Sequence, residues 1–294
     1  MEAEVKVLMR TALPRYLRQF EAESTRVAYR RELIRLIEWM PSEITPEIVY
    51  DYRDWLTDRG LVSTTVRWRA TVSRAFFKWL TDHGAIDTHA AGEARLPRRV
   101  RTAPPSILTN VELLRLLAAP DRRTWLGRRD AAMLVCLGRG GLRAVEVCRL
   151  RVGDVTVREE SCRLDILGKG GHRRRITLDW VTSMPLRGWV RERQDECSPG
   201  LPLFPREALR PTTSLDHHAV RYIVTKHGRR VGMPDVHPHQ LRHTAAVLAV
   251  RSGMPLHRLR ARLGHADIRT TARYLEGDAA PAQEGAYAAD LLFR

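Results

Sequence analysis

His237-Pro238-His239-Gln240-Leu241-Arg242-His243-Thr244, HPHQLRHT, sets three imidazoles and a guanidinium in eight residues. Pro238 suits the first turn of a helix, where its missing N–H is no loss. Leu241, Ala245, Val247 and Leu248 give that helix an apolar side to bury. His239 and Arg242 are then three residues apart, neighbours on one face close to the amide-rich end. Two basic groups side by side repel unless something anionic lies between them. A buried, hydrogen-bonded histidine is the ordinary explanation for such a residue, and the adjacent guanidinium weakens it.

Working outward, three more pieces carry polar residues that packing does not explain. In GRGGLRAVEVCRL, 138–150, Gly140-Gly141 allow a tight turn that brings Arg143 to a helix N-terminus, where unpaired amides also favour an anion. Glu146, three residues on, shares its face and can hold the guanidinium, although a plain surface ion pair explains this segment equally well. In ILGKGGHRRRI, 166–176, Lys169 sits between glycines near a hairpin turn, and the chain has only four lysines: Lys6, Lys78, Lys169 and Lys226. Arginine stays protonated in proteins, whereas a lysine ammonium can be tuned to donate its proton. In LGHADIRTTARY, 263–274, Gly264 ends a helix, His265 follows, and Tyr274 begins no apolar stripe. With a cationic pocket nearby, that tyrosine becomes a candidate nucleophile.

These pieces supply two arginines, two histidines, one lysine and one tyrosine, with no carboxylate pair and no metal-ligand spacing. A metal-dependent nuclease needs acidic residues to hold its cation. This set suits phosphoryl transfer without a metal or cofactor, in which fixed cations carry the charge on the phosphate.

Composition agrees. The 294 residues carry 50 Lys plus Arg against 34 Asp plus Glu, a net charge of +16, as expected of a protein that holds a polyanion. Residues 1–95 hold 15 basic and 14 acidic side chains, so the remaining 35 and 20 place a net +15 on residues 96–294. Cys136, Cys148, Cys162 and Cys197 form no C-x-x-C pair and read as reduced, mostly buried thiols. The N-terminus lacks the apolar core of a signal peptide, and no uncharged run approaches the ~20 residues of a membrane span. A cytoplasmic, nucleoid-associated protein with no membrane partner is expected.

The first 90 residues read as helices broken by turns. Ser24-Thr25 open one that Pro41 stops; a second runs from Pro46 to Arg59; a third follows Ser63-Thr64 and ends near Gly84. Its aromatic stripe, Phe76, Phe77 and Trp79, reads as core, whereas Arg26, Arg30, Arg67, Arg69 and Arg74 on the other faces are either candidates to touch phosphates or simply solvated. Residues 91–106, AGEARLPRRVRTAPPS, read as a linker, and its Arg98, Arg99 and Arg101 join those candidates. Beyond it, Thr109 and Glu112 have capping-box spacing. Helices are expected at 110–118, 125–137, 143–150, 180–194, 216–231, 238–251 and 255–263, with strands at 162–167 and 173–178.

Arg143 in GLRAVE, Lys169 in the hairpin, His239 and Arg242 in HQLRH, His265 in LGH and Tyr274 nine residues later resemble, in order and spacing, the active site of the tyrosine recombinases of the phage-integrase superfamily, with length and spacing closest to its Xer-like and simple transposon or phage members. The N-terminal helices resemble the core-binding domain of that family. What the resemblance implies is a two-domain, mainly α protein. Its helical, SAM-like core-binding domain (1–90) and linker (91–106) would precede an α+β catalytic domain with a small antiparallel sheet (107–278), the whole a C-shaped clamp on DNA. It implies a site-specific recombinase in which Tyr274 attacks the scissile phosphate, forming a 3′-phosphotyrosyl bond. Arg143 and Arg242 would grip the non-bridging oxygens, His239 and His265 assist, and Lys169 protonates the departing 5′-oxygen. Exchange would pass through a Holliday junction, without metal or ATP. The implied partners are double-stranded DNA with inverted-repeat core sites and a homo-tetramer, or a hetero-tetramer with a related recombinase. The tail 279–294, ending in AYAADLLFR, would dock on a neighbouring protomer. Gly140 stands where the family commonly has threonine. No arm-binding domain precedes the core-binding helices, and the 70 residues between Lys169 and His239 (239 minus 169) leave no room for the added helix of integron integrases. A type IB topoisomerase-like relaxing enzyme and a catalytically silent DNA-binding regulator are the alternatives.

Overall fold

A computed structural model describes residues 2–86, 106–168, 171–196 and 198–264. They form two compact units, divided between residues 102 and 103. Most of the 91–106 segment read as a linker lies outside the described residues, as does the 279–294 tail.

The first unit is four helices: α1 (Glu2–Leu17), α2 (Glu23–Trp39), α3 (Ile48–Asp58) and α4 (Ser63–Asp82). Leu33, Leu36 and Ile37 recur at helical spacing on α2 and are buried against Met9, Tyr52, Phe76 and Phe77. The aromatic stripe of α4 is therefore core, with the Phe76 ring 4.9 Å from that of Tyr16. Ser24-Thr25 do not cap α2. The helix begins at Glu23 with Ala22 as its N-cap, which makes no side-chain cap bond, and Ser24 and Thr25 both lie inside its first turn. Its other end falls where expected, since the residue before Pro41 is sterically turned away from helical geometry. Glu32 is buried in this unit and takes hydrogen bonds from the Tyr52 hydroxyl at 2.7 Å and Arg35 at 2.8 Å. Burial and the bond to Glu32 push the Tyr52 phenol well above its ordinary range.

The second unit surrounds one buried helix. Thr109 and Glu112 form the expected capping box at the start of α5 (Asn110–Ala118), and α6 (Trp125–Gly138) runs through the core. Met133, Leu134 and Leu137 of α6 are fully buried. Around α6 pack α5, α7 (Ala144–Arg149), α8 (Trp180–Glu196) and α10 (Pro238–Arg251), and α11 (Leu256–Leu263) packs on α10. A three-stranded antiparallel sheet, β1 (Val155–Val157), β2 (Ser161–Leu167) and β3 (Arg173–Asp179), runs in chain order across one side. Cys162, Leu164 and Ile166 of β2 and Ile176 and Leu178 of β3 alternate into the core, the two-residue period of a half-buried sheet. A second hairpin, β4 (Pro205–Glu207) and β5 (Arg210–Ser214), precedes α9 (His217–Arg230).

Three features of this unit differ from the sequence reading. The helix expected from 143 begins at Ala144, because Arg143 is its extended N-cap residue, and β1 and the β4–β5 hairpin were not foreseen. Cys136 and Cys162 are buried free thiols and Cys148 is half-buried; burial pushes the Cys162 and Cys148 thiols up to about 11, whereas Cys197 lies outside the described residues. No helix among the described residues is long and apolar enough to cross a membrane.

Candidate active site

The site begins at the end of α6. Backbone amides of Gly140 and Leu142 turn back onto the Val135 and Cys136 carbonyls, at 3.0 and 3.1 Å, reversing the chain within four residues. Glycine is required twice in this turn. A Cβ on Gly140 would lie 2.5 Å from the Cys136 carbonyl oxygen, and Gly141 has φ +69°. The reversal delivers Arg143 to the N-cap of α7.

Glu146, three residues on, reaches back to that N-cap residue. One carboxylate oxygen accepts the Arg143 amide at 2.8 Å and the other accepts Arg143 Nη1 at 3.0 Å. The same carboxylate takes a bidentate pair from Arg174 of β3, Nη1 at 2.8 Å and Nη2 at 2.7 Å, and Arg242 Nη1 stands 3.8 Å away. Burial alone would raise the Glu146 carboxyl, but the bonds from Arg174 and the Arg143 amide, with the charges of Arg174 and Arg242, hold it below the usual carboxylate range. Three guanidiniums thus share one carboxylate and leave a local excess of positive charge.

Their exposures differ in a way that matters. The side chain of Arg143 is 43% exposed, those of Arg174 and Arg242 only 10% and 2%. Arg242 comes from α10 and donates to the Gly141 and Leu263 carbonyls, both at 2.6 Å. Its charge lies behind Arg143, and its bonds tie α10 to the glycine turn and to the end of α11.

His239 stands in the first turn of α10, facing solvent. Surrounding protein and the charges of Arg242 and Arg143 hold its imidazole below the ordinary value, so it is neutral at pH 7. His237 caps α10, its Nδ1 accepting the Gln240 amide at 3.1 Å. Sequence reading grouped His237 with the other imidazoles and missed this role, although a polar residue directly before a proline at the first helical position is a capping signal.

Arg143, Glu146, His239 and Arg242 are thus brought together by α6, α7 and α10. Lys169, His265 and Tyr274 lie outside the described residues. The described residues that flank Lys169 in sequence are paired: β2 and β3 run from Ser161↔Asp179 to Leu167↔Arg173, and the Gly168 amide donates to the His172 carbonyl at 2.8 Å. His265 follows directly on Gly264, the left-handed C-cap of α11.

Of the arginines proposed for phosphate contact, Arg30 is exposed and Arg67 and Arg74 are half-buried. Arg26 pairs with Glu23 on its own helix, and Arg69, only 17% exposed, lies 3.4 Å from the buried Glu32. Arg98, Arg99 and Arg101 lie outside the described residues. Sequence reading passed over α9, whose outward face carries Arg221, Tyr222, Lys226 and Arg229 along one shallow groove. The signal was there: cations spaced along the side opposite the buried Val220, Ile223, Val224 and His227.

A glycine turn, an arginine-rich centre on a buried carboxylate and a histidine three residues before the second arginine make a fixed positive site of the kind that suits an anion, on a mixed α and β unit. The chain belongs to the phage integrase family, which residues 106–280 match, and residues 14–84 match that family's N-terminal SAM-like domain; it is a tyrosine recombinase of the Xer type. It is 33% identical over 259 residues to the tyrosine recombinase XerC of Xanthomonas campestris pv. campestris (strain B100), covering 85% of this chain and 78% of that protein. Against the XerC of Xylella fastidiosa (strain 9a5c) it is 32% identical, covering 85% of each. Among solved structures, the XerH recombinase in a post-cleavage complex with a palindromic difH substrate superposes with a TM-score of 0.70 at 18% identity, covering 87% of this chain and 77% of that one. A lambda integrase dimer bound to a COC′ core site gives 0.68 at 15%, covering 91% and 77%. At such identities these superpositions speak to the fold.

Proposed function

We propose that this recombinase cleaves and rejoins double-stranded DNA at inverted-repeat core sites by metal-free transesterification. The Tyr274 hydroxyl attacks the scissile phosphorus and gives its proton to a histidine of the site, His239 or His265; a 3′-phosphotyrosyl bond forms, and the bond to the 5′-oxygen breaks, with Lys169 supplying the proton that oxygen needs. The 5′-hydroxyl of a partner strand then attacks the phosphotyrosine and restores the tyrosine. Bond energy is kept in the linkage, so ATP is not consumed, and two such exchanges on one strand pair make a Holliday junction.

The observation that carries this reading is the shared carboxylate. Glu146 holds Arg143 at both its backbone and its guanidinium, with Arg242 close behind and a neutral His239 alongside. Positive charge fixed before substrate arrives is what a phosphorane-like transition state requires, because nothing has to reorganise as its charge develops. Arg143 is the exposed grip on a non-bridging oxygen; Arg242 contributes its charge and holds the turn; His239 and His265 assist. Arg26, Arg30, Arg67, Arg69 and Arg74, with the linker arginines, would track the DNA backbone.

Acting on two sites requires four protomers, identical or shared with a related recombinase, and the 279–294 tail would link each to its neighbour. A DNA substrate of this kind places the protein in the cytoplasm with the nucleoid. The test is a supercoiled plasmid carrying two copies of the site obtained by binding selection. Deletion circles or catenanes establish recombination; relaxation without exchange would mark a topoisomerase, and binding without strand cleavage a silent regulator.

A further inference from the structure

Arg174 is the middle residue of the Arg173-Arg174-Arg175 triplet, and the strand separates the three. Arg175 points outward and bonds Asp165, its cross-strand partner, at 2.9 Å. Arg174 lies on the face of β3 that also carries Ile176 and Leu178, where an arginine is costly to bury unless it is fully paired. It is paired at all three nitrogens. Nη1 and Nη2 take the two oxygens of Glu146, and Nε donates to the Arg262 carbonyl at 2.9 Å. That carbonyl is the next-to-last of α11, and Arg242 holds the last, on Leu263. The buried guanidinium of Arg242 and the largely covered one of Arg174 thus grip consecutive carbonyls at the end of the helix that precedes Gly264 and His265 in the sequence.

We infer that Arg174 is a positioning residue of the recombination reaction: it locks Glu146, and through it Arg143, and ties that unit to the end of α11. This rests on the reading of Arg143 as the grip on the scissile phosphate. Held only by the Arg143 amide, the Glu146 carboxylate can still turn about that one bond and carry the Arg143 guanidinium with it. With both oxygens held in the planar fork of Arg174, it has one orientation, and Arg143 has one place. Lysine cannot replace this, since a point charge on a flexible stem does not serve two carboxylate oxygens and a carbonyl together.

The experiment uses single-turnover formation of the covalent protein–DNA adduct on the selected site. It compares an ordinary scissile phosphodiester with a methylphosphonate, in which a neutral methyl replaces one charged non-bridging oxygen. Arg174→Met should bind DNA as the wild type does, cleave the phosphodiester about a hundredfold more slowly, and recover most of that loss on the methylphosphonate, in parallel with Arg143→Ala. Arg174→Lys should behave as Arg174→Met does; it serves as the second variant should Arg174→Met unfold at the assay temperature. An Arg174 variant that cleaves at the wild-type rate, or is slowed equally on both substrates, overturns the inference. If Arg143→Ala itself is not slowed, or is slowed equally on both, the underlying reading of Arg143 falls instead.

Discussion

Glu146 holds Arg143 at both ends, one carboxylate oxygen on its backbone amide at 2.8 Å and the other on its guanidinium at 3.0 Å. The side chain proposed to grip the substrate is therefore placed by the start of the helix it caps. Local folding and chemistry share one residue.

Removing the charge while keeping the shape should expose this dual role. Glu146→Gln leaves two guanidiniums, on Arg174 and Arg242, without their carboxylate in a nearly dry setting, and should cost about 3 kcal/mol of stability. Urea unfolding measures it. Because the Glu146 carboxyl is held below its ordinary range, its contribution is complete at neutral pH and is lost as pH falls through that lowered value, so wild type and Glu146→Gln should converge in stability in acid.

The glycine turn makes a sharper prediction. At Gly140 a methyl group meets the Cys136 carbonyl, a backbone atom that cannot swing aside, so Gly140→Ala must shift the turn that carries Arg143. A loss of about 2 kcal/mol is expected, with covalent adduct formation impaired more than DNA binding. Thermal unfolding and a gel-shift titration separate the two.

His239 should titrate below its ordinary value of 6.5, with a midpoint that moves up when Arg143 is replaced by glutamine, since one of the two charges opposing its protonation is gone. Imidazole proton NMR across pH 4–8 follows this directly. An unchanged midpoint in Arg143→Gln would separate the two residues electrostatically.

For Lys169 the discriminating substitution is arginine. Lys169→Arg should keep DNA affinity and slow cleavage by about a hundredfold or more, because the guanidinium does not release its proton. DNA with a 5′-bridging sulfur, whose thiolate leaves without a proton, should restore most of the rate. Equal defects on both substrates would remove Lys169 from that role.

Much of this was legible because helices end where residue chemistry ends them. Thr109 and Glu112 announced α5, Pro238 announced α10, and the paired glycines announced the turn before Arg143. The β4–β5 hairpin was not legible, since only Pro205 in it is buried and no apolar alternation marks it. The start of α7 was misplaced by one residue because an N-cap arginine is uncommon; its side chain offers no acceptor, and the carboxylate of Glu146 holds the Arg143 amide. Arg174 went unnoticed because a run of three arginines looks like a solvated surface. Counting in twos from Ile176 and Leu178 puts the middle one on the buried face, and that period was available in the sequence.

The central claim is that Tyr274 forms a covalent bond to DNA without a metal. The direct measurement is to incubate wild type and Tyr274→Phe with sheared host DNA in EDTA, denature with SDS, capture DNA covalently attached to protein and sequence it. Adducts with the wild type alone, enriched in an inverted repeat and joined at the 3′-phosphate, are the predicted result. Adducts of equal yield with Tyr274→Phe, or adducts that vanish in EDTA and return with a divalent cation, would contradict it.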